Sequence, residues 1–348
     1  MRDNSVTYAK AVAIMLVVLG HACFETPVEW WVNFVHVPLF FFMAGYCFKE
    51  HYLSEPVTFV KKKVYRLYFP YVKWGLFFLL LHNVLYSLGI YNDSFGYNGV
   101  GSVPYSVSDI IVKSFRVLLF HHSERLIGGY WFLPSLFTGS ILFYITRTML
   151  RTRIFLGGGI LLIISILLSV FDASYYLLSS RNFLAATFIY AGYLYKMSNC
   201  QIHKKTWFVV FSLLICSLGT IFWKSSMVSI TILTIVPYFL TAICGSLAIF
   251  GLCCRISNVK KSKVANVLHF VGNNTLSVLT WHMTAFLMVS LLIVYFYNLD
   301  PKRLAEFPVI KEYAETYWGF IYFIVSILIC AIIALVGRFF SSKLKWSL

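Results

Sequence analysis

Acidic residues are scarce in this chain. Asp and Glu fill 13 of 348 positions, and charged residues of all types make up 12%, against about 25% in soluble domains. So little charge cannot cover a water-exposed surface, which excludes a protein with much soluble mass. The eight cysteines (Cys23, Cys47, Cys200, Cys216, Cys244, Cys253, Cys254 and Cys330) are scattered, with no CxxC pair and no His/Cys ligand spacing. Neither a zinc centre nor a disulfide framework is implied. The N-terminus has no A-x-A-like cleavage site, and Gly20-His21-Ala22 is a poor lipoprotein box ahead of Cys23. The first apolar run therefore reads as a retained span rather than a removed leader. There is no internal repeat, no low-complexity tract and no pair of matching broken helices of the kind carriers use.

Long apolar runs, in contrast, are abundant. Hydrophobic residues make up 59% of the chain, aromatics 19%, and the mean hydropathy is +0.78. Ten runs read as spans, roughly 6–24, 33–49, 67–89, 131–148, 154–172, 181–196, 206–223, 228–252, 276–297 and 318–338. Each approaches the ~20 residues a crossing needs. The expected fold is an all-α polytopic membrane bundle of about ten transmembrane helices. It is read as a single domain over 1–348, with no appended soluble domain.

The net charge of +16 raises nucleic acid as a partner, but its distribution excludes that reading. With the N-terminus in the cytoplasm, the internal segments hold 19 Lys and Arg against 3 Asp and Glu, and the outer segments 8 against 10. This is a positive-inside pattern, and an even span count returns the C-terminus to the cytoplasm. The same basic face suits a polyanionic cytosolic ligand or anionic lipid. Trp30, Trp31, Trp207, Trp223 and Trp318 mark span ends, as an aromatic belt requires. Pro38, Pro134 and Pro237 fall in spans, where neighbouring helices or water satisfy the carbonyls they free.

Two outer loops are long enough to bind a partner. In loop 90–130, the first half is rich in Gly, Ser and Asn. From Ser108 to His121, apolar residues at 110, 111, 115, 118 and 119 predict an interfacial helix. Loop 298–317 is charged and interrupted by proline.

Ionisable residues inside a span are costly and mark functional sites. The first span, VTYAKAVAIMLVVLGHACF, holds two, Lys10 and His21. Eleven residues apart, they share a helix face at a separation of about 16 Å. Imidazole is the natural general base near neutral pH. Glu25, four residues on, is expected on the same face, where it would orient the ring. His36 opens the second span at a similar outer depth. Lys73 and His82 also lie in a span, with no specific role assigned.

These residues resemble the opening of the integral-membrane acyltransferase-3 family, in which a basic residue, usually arginine, stands ten positions clear of a histidine. Four further segments match in order. Phe34-Val-His36-Val-Pro38-Leu-Phe-Phe-Phe-Met-Ala-Gly45-Tyr46 resembles F-H-x-P-L-F-F-x-x-S-G-Y. Lys61-Lys62-Lys63-Val-Tyr-Arg66-Leu-Tyr-Phe-Pro70-Tyr71 resembles a basic loop ending in R-L-x-x-P-Y. Trp131-Phe-Leu-Pro-Ser-Leu-Phe137 resembles W-F-L-x-x-L-F. Gly272-Asn273-Asn274-Thr275-Leu276-Ser277 through Trp281-His282 resembles G-x-N-S-L-x-x-Y-x-x-H. Two positions depart from the pattern: Lys10 stands for arginine, giving a point charge instead of a bidentate fork, and Ala44 stands for serine. The WFLPSLF segment resembles the branch of fucose 4-O-acetylases and surface-polysaccharide acetyltransferases.

The resemblance implies transfer of an acyl group, most often acetyl from acetyl-CoA, to a hydroxyl of a cell-surface or lipid-linked carbohydrate at a bacterial inner membrane. No metal and no nucleic acid enter; the other partners are membrane lipids. His21 would deprotonate the sugar hydroxyl or carry the acyl group, with Lys10, His36 and Glu25 completing the catalytic set. Arg66 with Lys61, Lys62 and Lys63 would meet the donor phosphates. Trp131 would stack on a sugar ring, and His282, Asn273 and Asn274 would line the cavity, although both asparagines also suit a helix cap. The competing reading is a transporter or flippase of a lipid-linked sugar or small anion, in which the same ionisable residues serve coupling. Binding of acyl-CoA to the purified protein separates the two.

Overall fold

The computed structural model describes residues 4–95, 103–122, 124–259 and 263–344. Arg2, Lys345 and Lys260 to Ser262 of the basic cytosolic stretches, and residues 96–102 of the first outer loop, lie outside these. Among the described residues the regular structure is helical, apart from one isolated bridge between Tyr175 and Leu178. In chain order the helices are α1 (Asn4–Ala22), α2 (Pro27–Asn33), α3 (His36–Tyr46), α4 (Pro56–Lys63), α5 (Phe69–Ser87), α6 (Val107–Leu118), α7 (Phe132–Met149), α8 (Leu156–Val170), α9 (Ser180–Met197), α10 (Thr206–Phe222), α11 (Ile235–Ser257), α12 (Lys263–Asn273), α13 (Thr275–Phe296), α14 (Lys311–Ala314) and α15 (Tyr317–Leu344).

Every apolar run contains a helix. Five stretches are long and apolar enough to cross a membrane: α1, the segment Arg125–Met149 that ends in α7, α11, α13 and α15. Helices α8 and α10 are apolar but shorter. Helix α3 has 11 residues, only about 16 Å at 1.5 Å per residue, which is short of a ~30 Å hydrocarbon core. The run expected from 228 begins as helix only at Ile235. Hydroxyls explain the delay: Ser226 Oγ accepts from the amides of Val228 and Ser229, and Thr234 Oγ1 from that of Thr231. Local side-chain bonds of this kind compete with the helical ladder.

The chain forms two compact units from interleaved segments. One comprises residues 1–17, 30–69 and 132–273. Its centre is α9, against which α3, α7 and α8 pack; α10 pairs with α11, which also meets α3. Helix α9 is buried on all sides from Leu184 to Tyr190, as a core helix must be. Small residues let backbones approach. A Cβ at Gly45 of α3 would lie 1.7 Å from the Ile189 carbonyl oxygen, and one at Gly192 of α9 would lie 1.9 Å from that of Phe42. The two glycines thus make a reciprocal close crossing. Gly272, at the end of α12, abuts the Thr7 carbonyl in the same way, at 2.2 Å.

The second unit comprises residues 18–29, 70–131 and 274–348. Here α13 pairs with α15, and the turn Arg125–Trp131 packs on α13. Ser290 and Tyr322 join the two helices through a 2.8 Å hydroxyl pair. Helix α15 turns the stripe Phe320, Ile324, Leu328 and Ile332 outward, each more than half exposed. A continuous apolar stripe of this length is a liability in water and fits lipid. The interfacial helix expected after Ser108 is α6. A capping box between Ser106 and Asp109 starts it. Val107, Ile111, Phe115 and Leu118 form its exposed apolar face, while Val117 is buried.

Candidate active site

His21 occupies the last turn of α1 and is half-buried. Its Nδ1 lies 3.0 Å from Nε2 of His282, which is fully buried on α13. The two rings are nearly parallel, at 9°. Proton accounting fixes the tautomers. His282 Nδ1 stands 3.0 Å from the carbonyl oxygens of both Val278 and Leu279. Carbonyls only accept, so Nδ1 carries the proton and donates. In neutral His282, Nε2 is then an acceptor. The proton between the rings therefore belongs to His21 Nδ1, which makes His21 Nε2 the basic nitrogen of the neutral ring. An imidazole in this state accepts a proton at Nε2 while its Nδ1–H stays anchored, the arrangement of a base with its orienting partner. The free carbonyls at the C-terminal end of α1 also favour the positive charge that this transfer creates.

The turn Arg125–Trp131 forms one wall beside the pair. A Cβ at Gly129 would lie 3.7 Å from Cε1 of both His21 and His282. The turn is fastened to α13: the Tyr130 hydroxyl and Thr280 Oγ1 are 2.6 Å apart. Thr280 donates to the Leu276 carbonyl at 2.8 Å, so Tyr130 is the donor to Thr280. Trp131 ends the turn and is half-buried.

The other expected site residues distribute as follows. Glu25 does not sit behind His21. Helix α1 stops at Ala22, and Glu25 adopts φ 61°, so the four-residue spacing no longer places it on the helix face. Its carboxylate pairs with Lys311, and its amide donates to Glu29. The side chain that meets His21 Nδ1 is His282 instead, a residue expected only to line the cavity. Lys10 is half-buried on α1, which runs unbroken to His21. His36 belongs to the first unit, and its Nδ1 donates to the Val32 carbonyl at 2.5 Å.

In that same unit, Lys62 bonds the Tyr52 hydroxyl, and Lys63 Nζ donates to Ser140 Oγ at 2.8 Å. Lys61 and Arg66 are exposed. Burial pulls the Lys63 ammonium down to about 8, with the Lys62 and Arg66 charges adding to the effect. A separate polar cavity of about 390 Å³ in this unit is lined by Tyr46, Lys196, His203, Lys204 and Asn258. Asn274 stands at the N-cap of α13 without a side-chain capping bond, and the Asn273 amide donates to the His269 carbonyl at 2.8 Å.

A buried cluster escaped the sequence reading. Glu124, fully buried, receives His82 Nδ1 at 3.0 Å and His122 Nε2 at 2.8 Å. His82 Nε2 is also 3.0 Å from the Val103 carbonyl. Burial pushes the Glu124 carboxyl up, but the hydrogen bonds from His122 and His82 outweigh it and hold the carboxyl below its ordinary value. With Asn83 bonded to both the amide and the carbonyl of Tyr105, the cluster ties the first outer loop to α5. The one signal available was His82 itself, an ionisable residue in a span.

Outward apolar stripes and a buried imidazole pair together define a multi-pass membrane protein with a candidate acid–base centre. A family model described as an acyltransferase domain matches residues 3–335. The chain therefore belongs to the acyltransferase-3 family, and is a membrane acyltransferase. No curated protein and no solved structure matches it.

Proposed function

We propose that this protein is an O-acyltransferase that moves an acetyl group from acetyl-CoA to a hydroxyl of a cell-surface or lipid-linked carbohydrate in a bacterial inner membrane. About ten crossings would place both termini in the cytoplasm. The observation that carries the reading is the His21–His282 pair, in which Nδ1 of His21 donates to Nε2 of His282 and Nε2 of His21 is the basic nitrogen of the neutral ring. In the reaction, His21 Nε2 takes the proton from the sugar hydroxyl as its oxygen attacks the thioester carbonyl carbon. The carbon–sulfur bond then breaks, and the leaving thiolate recovers the proton. The His282 Nε2 acceptor steadies the transient imidazolium through a charge-assisted hydrogen bond. Lys10 supplies a point charge on the same helix. Arg66 and Lys61, Lys62 and Lys63 meet the donor phosphates, and Trp131, at the end of the turn Arg125–Trp131, stacks on the acceptor ring. His36, Asn273 and Asn274 remain candidates for lining the acceptor path.

The test is transfer of labelled acetyl from acetyl-CoA to a surface-glycan extract by the purified, membrane-reconstituted protein. Wild type is expected to transfer label and His21→Ala to lose it. Wild-type transfer by His21→Ala would remove the base assignment. Absence of both acetyl-CoA binding and transfer would favour a transporter.

A further inference from the structure

The cavity of about 390 Å³ lies wholly within the first unit. Four stretches of chain wall it: Ser5 at the start of α1, Tyr46 at the end of α3, the segment 195–204, and the last turns of α11 from Phe250. Its size falls within the ~300–1,000 Å³ of small-ligand pockets. The wall is fixed by close backbone contacts. A Cβ at Gly251 would lie 1.9 Å from the His203 carbonyl oxygen, and Arg255 Nη2 donates to the Lys204 carbonyl at 3.2 Å. Asn199, at φ 51°, turns the chain out of α9 and into the wall.

The lining holds Lys196 and Lys204 and, among the described residues, no Asp or Glu. Both ammonium groups meet neutral oxygens. Lys204 Nζ donates to Gln201 Oε1 at 3.2 Å, and Lys196 Nζ to the Phe48 carbonyl at 3.5 Å. Lys196 stands in the last turn of α9, where the helix dipole favours a cation. Lys204 has no such reason: it stands just before α10, at the helix end whose dipole disfavours a cation.

The other side of the cavity is aromatic. Tyr46 meets Phe250 edge-on with centroids 5.0 Å apart, and Phe250 stacks on His203 at 4.8 Å and 26°. A 2.5 Å bond between the Tyr195 hydroxyl and His203 Nδ1 ties in a fourth ring. Asn199, Gln201 and Asn258 add exposed side-chain amides. An inorganic anion needs only the cations. Rings with amides beside them supply what a heteroaromatic base takes, a stacking face and hydrogen bonds to its edge.

We infer that this cavity binds a nucleotide, its phosphate on Lys196 and Lys204 and its base against Tyr46, with the amides on the base edge. The nucleotide is free or is the nucleotide end of the donor. Only the second source rests on the acyltransferase reading.

Differential alkylation of the full-length protein in detergent tests it. Cys200 is exposed and lines the cavity, whereas Cys47 is exposed and lies outside the lining. The probes are ATP and adenosine 3′,5′-bisphosphate. At about ten times its Kd, a bound nucleotide is expected to slow N-ethylmaleimide labelling of Cys200 about tenfold, read by peptide mass spectrometry, and to leave Cys47 unchanged. Adenosine and inorganic phosphate at the same concentration should protect far less. Replacing both lysines, Lys196→Met with Lys204→Met, should raise the concentration for half-protection about tenfold. Both side chains are exposed, so the double variant is expected to fold, and the wild-type arms stand without it. An unprotected Cys200 with both nucleotides would overturn the inference. So would equal protection by adenosine or phosphate, equal protection of Cys47, or a double variant that responds as wild type. Protection by the bisphosphate and acetyl-CoA but not ATP identifies the donor's nucleotide end. Protection by ATP and not acetyl-CoA identifies a free nucleotide, and protection by all three shows one cavity serving both. A protected Cys200 in a protein that transfers no acetyl group would leave this cavity standing and sink the transferase reading. Acetyl transfer with Cys200 unprotected would do the reverse.

Discussion

His21 Nδ1 donates to His282 Nε2 across 3.0 Å, and the two carbonyls on the far side of His282 leave that bond only one direction. In the proposed reaction the pair serves as base and orienter, with no carboxylate between them. Replacing His282 with Phe keeps an aromatic ring and removes the acceptor. We expect this variant to fold and to lose about 10²- to 10⁴-fold in kcat, with the KM for acetyl-CoA unchanged. Glu25→Gln, which disturbs only the pairing with Lys311, should stay within about twofold. Steady-state acetyl transfer by the two variants decides which residue orients the base.

Lys10 is proposed to act as a point charge in the transfer. As a point charge it is replaceable by arginine, so Lys10→Arg should retain most of the transfer rate. Lys10→Met should lose about 10²-fold. Equal rates in both would reduce Lys10 to a side chain that snorkels to the interface.

The lowered Lys63 pKa makes its charge sensitive to alkali. The free enzyme carries the Lys63 charge below a pH of about 8 and loses it as pH rises through that value. If Lys63 meets the donor phosphates, kcat/KM for acetyl-CoA falls above that pH, whereas kcat at saturating donor falls less. Lys63→Arg should flatten the alkaline limb, because guanidinium stays protonated throughout. A pH profile identical in wild type and Lys63→Arg would detach Lys63 from the donor.

The Gly45/Gly192 crossing predicts a sharp contrast within a few turns of helix. Gly192→Ala drives a methyl group into the Phe42 carbonyl and should cost about 3 kcal/mol or prevent assembly. Gly159→Ala meets nothing within 4 Å and should be neutral or stabilising by up to ~1 kcal/mol. Melting temperatures of the two variants in the same detergent provide the comparison.

Glu124 gives a prediction on the acid side. Its folded-state pKa lies below the ordinary value of 4.5. Its contribution to holding the outer loop is therefore complete above that value and disappears as pH falls through the lower, folded-state pKa. Glu124→Gln should release the loop at neutral pH. Limited proteolysis between Tyr105 and His122 would report it, and wild-type resistance in the variant would show the loop to be held by other contacts.

How far the sequence could be read depended on whether the relevant force was local. Each of the ten apolar runs contains a helix, because such a run must bury or face lipid along its own length, whereas the short helices α2, α4, α12 and α14 lie outside the runs. Hydropathy misplaced the start of α11, where Ser and Thr hydroxyls bond the backbone ahead of the helix. It did not anticipate that α3 is too short to cross. The spacing rule that put Glu25 behind His21 assumed a helix continuing past Ala22, and the turn there, with Glu25 at φ 61°, voided it. His282 was flagged, but its role depends on a contact across 261 residues that no pattern of one chain encodes.

Helix α15, at 28 residues, is about 42 Å long, well beyond the ~30 Å interior of an average bilayer. Its outward stripe must either lean over or carry its last turns into the headgroups. Helix α3, at about 16 Å, exposes none of its residues and so sets no membrane thickness. The length of α15 alone should make acyl-chain length tune folding and activity. Reconstitution in lipids of graded chain length would bring that dependence out.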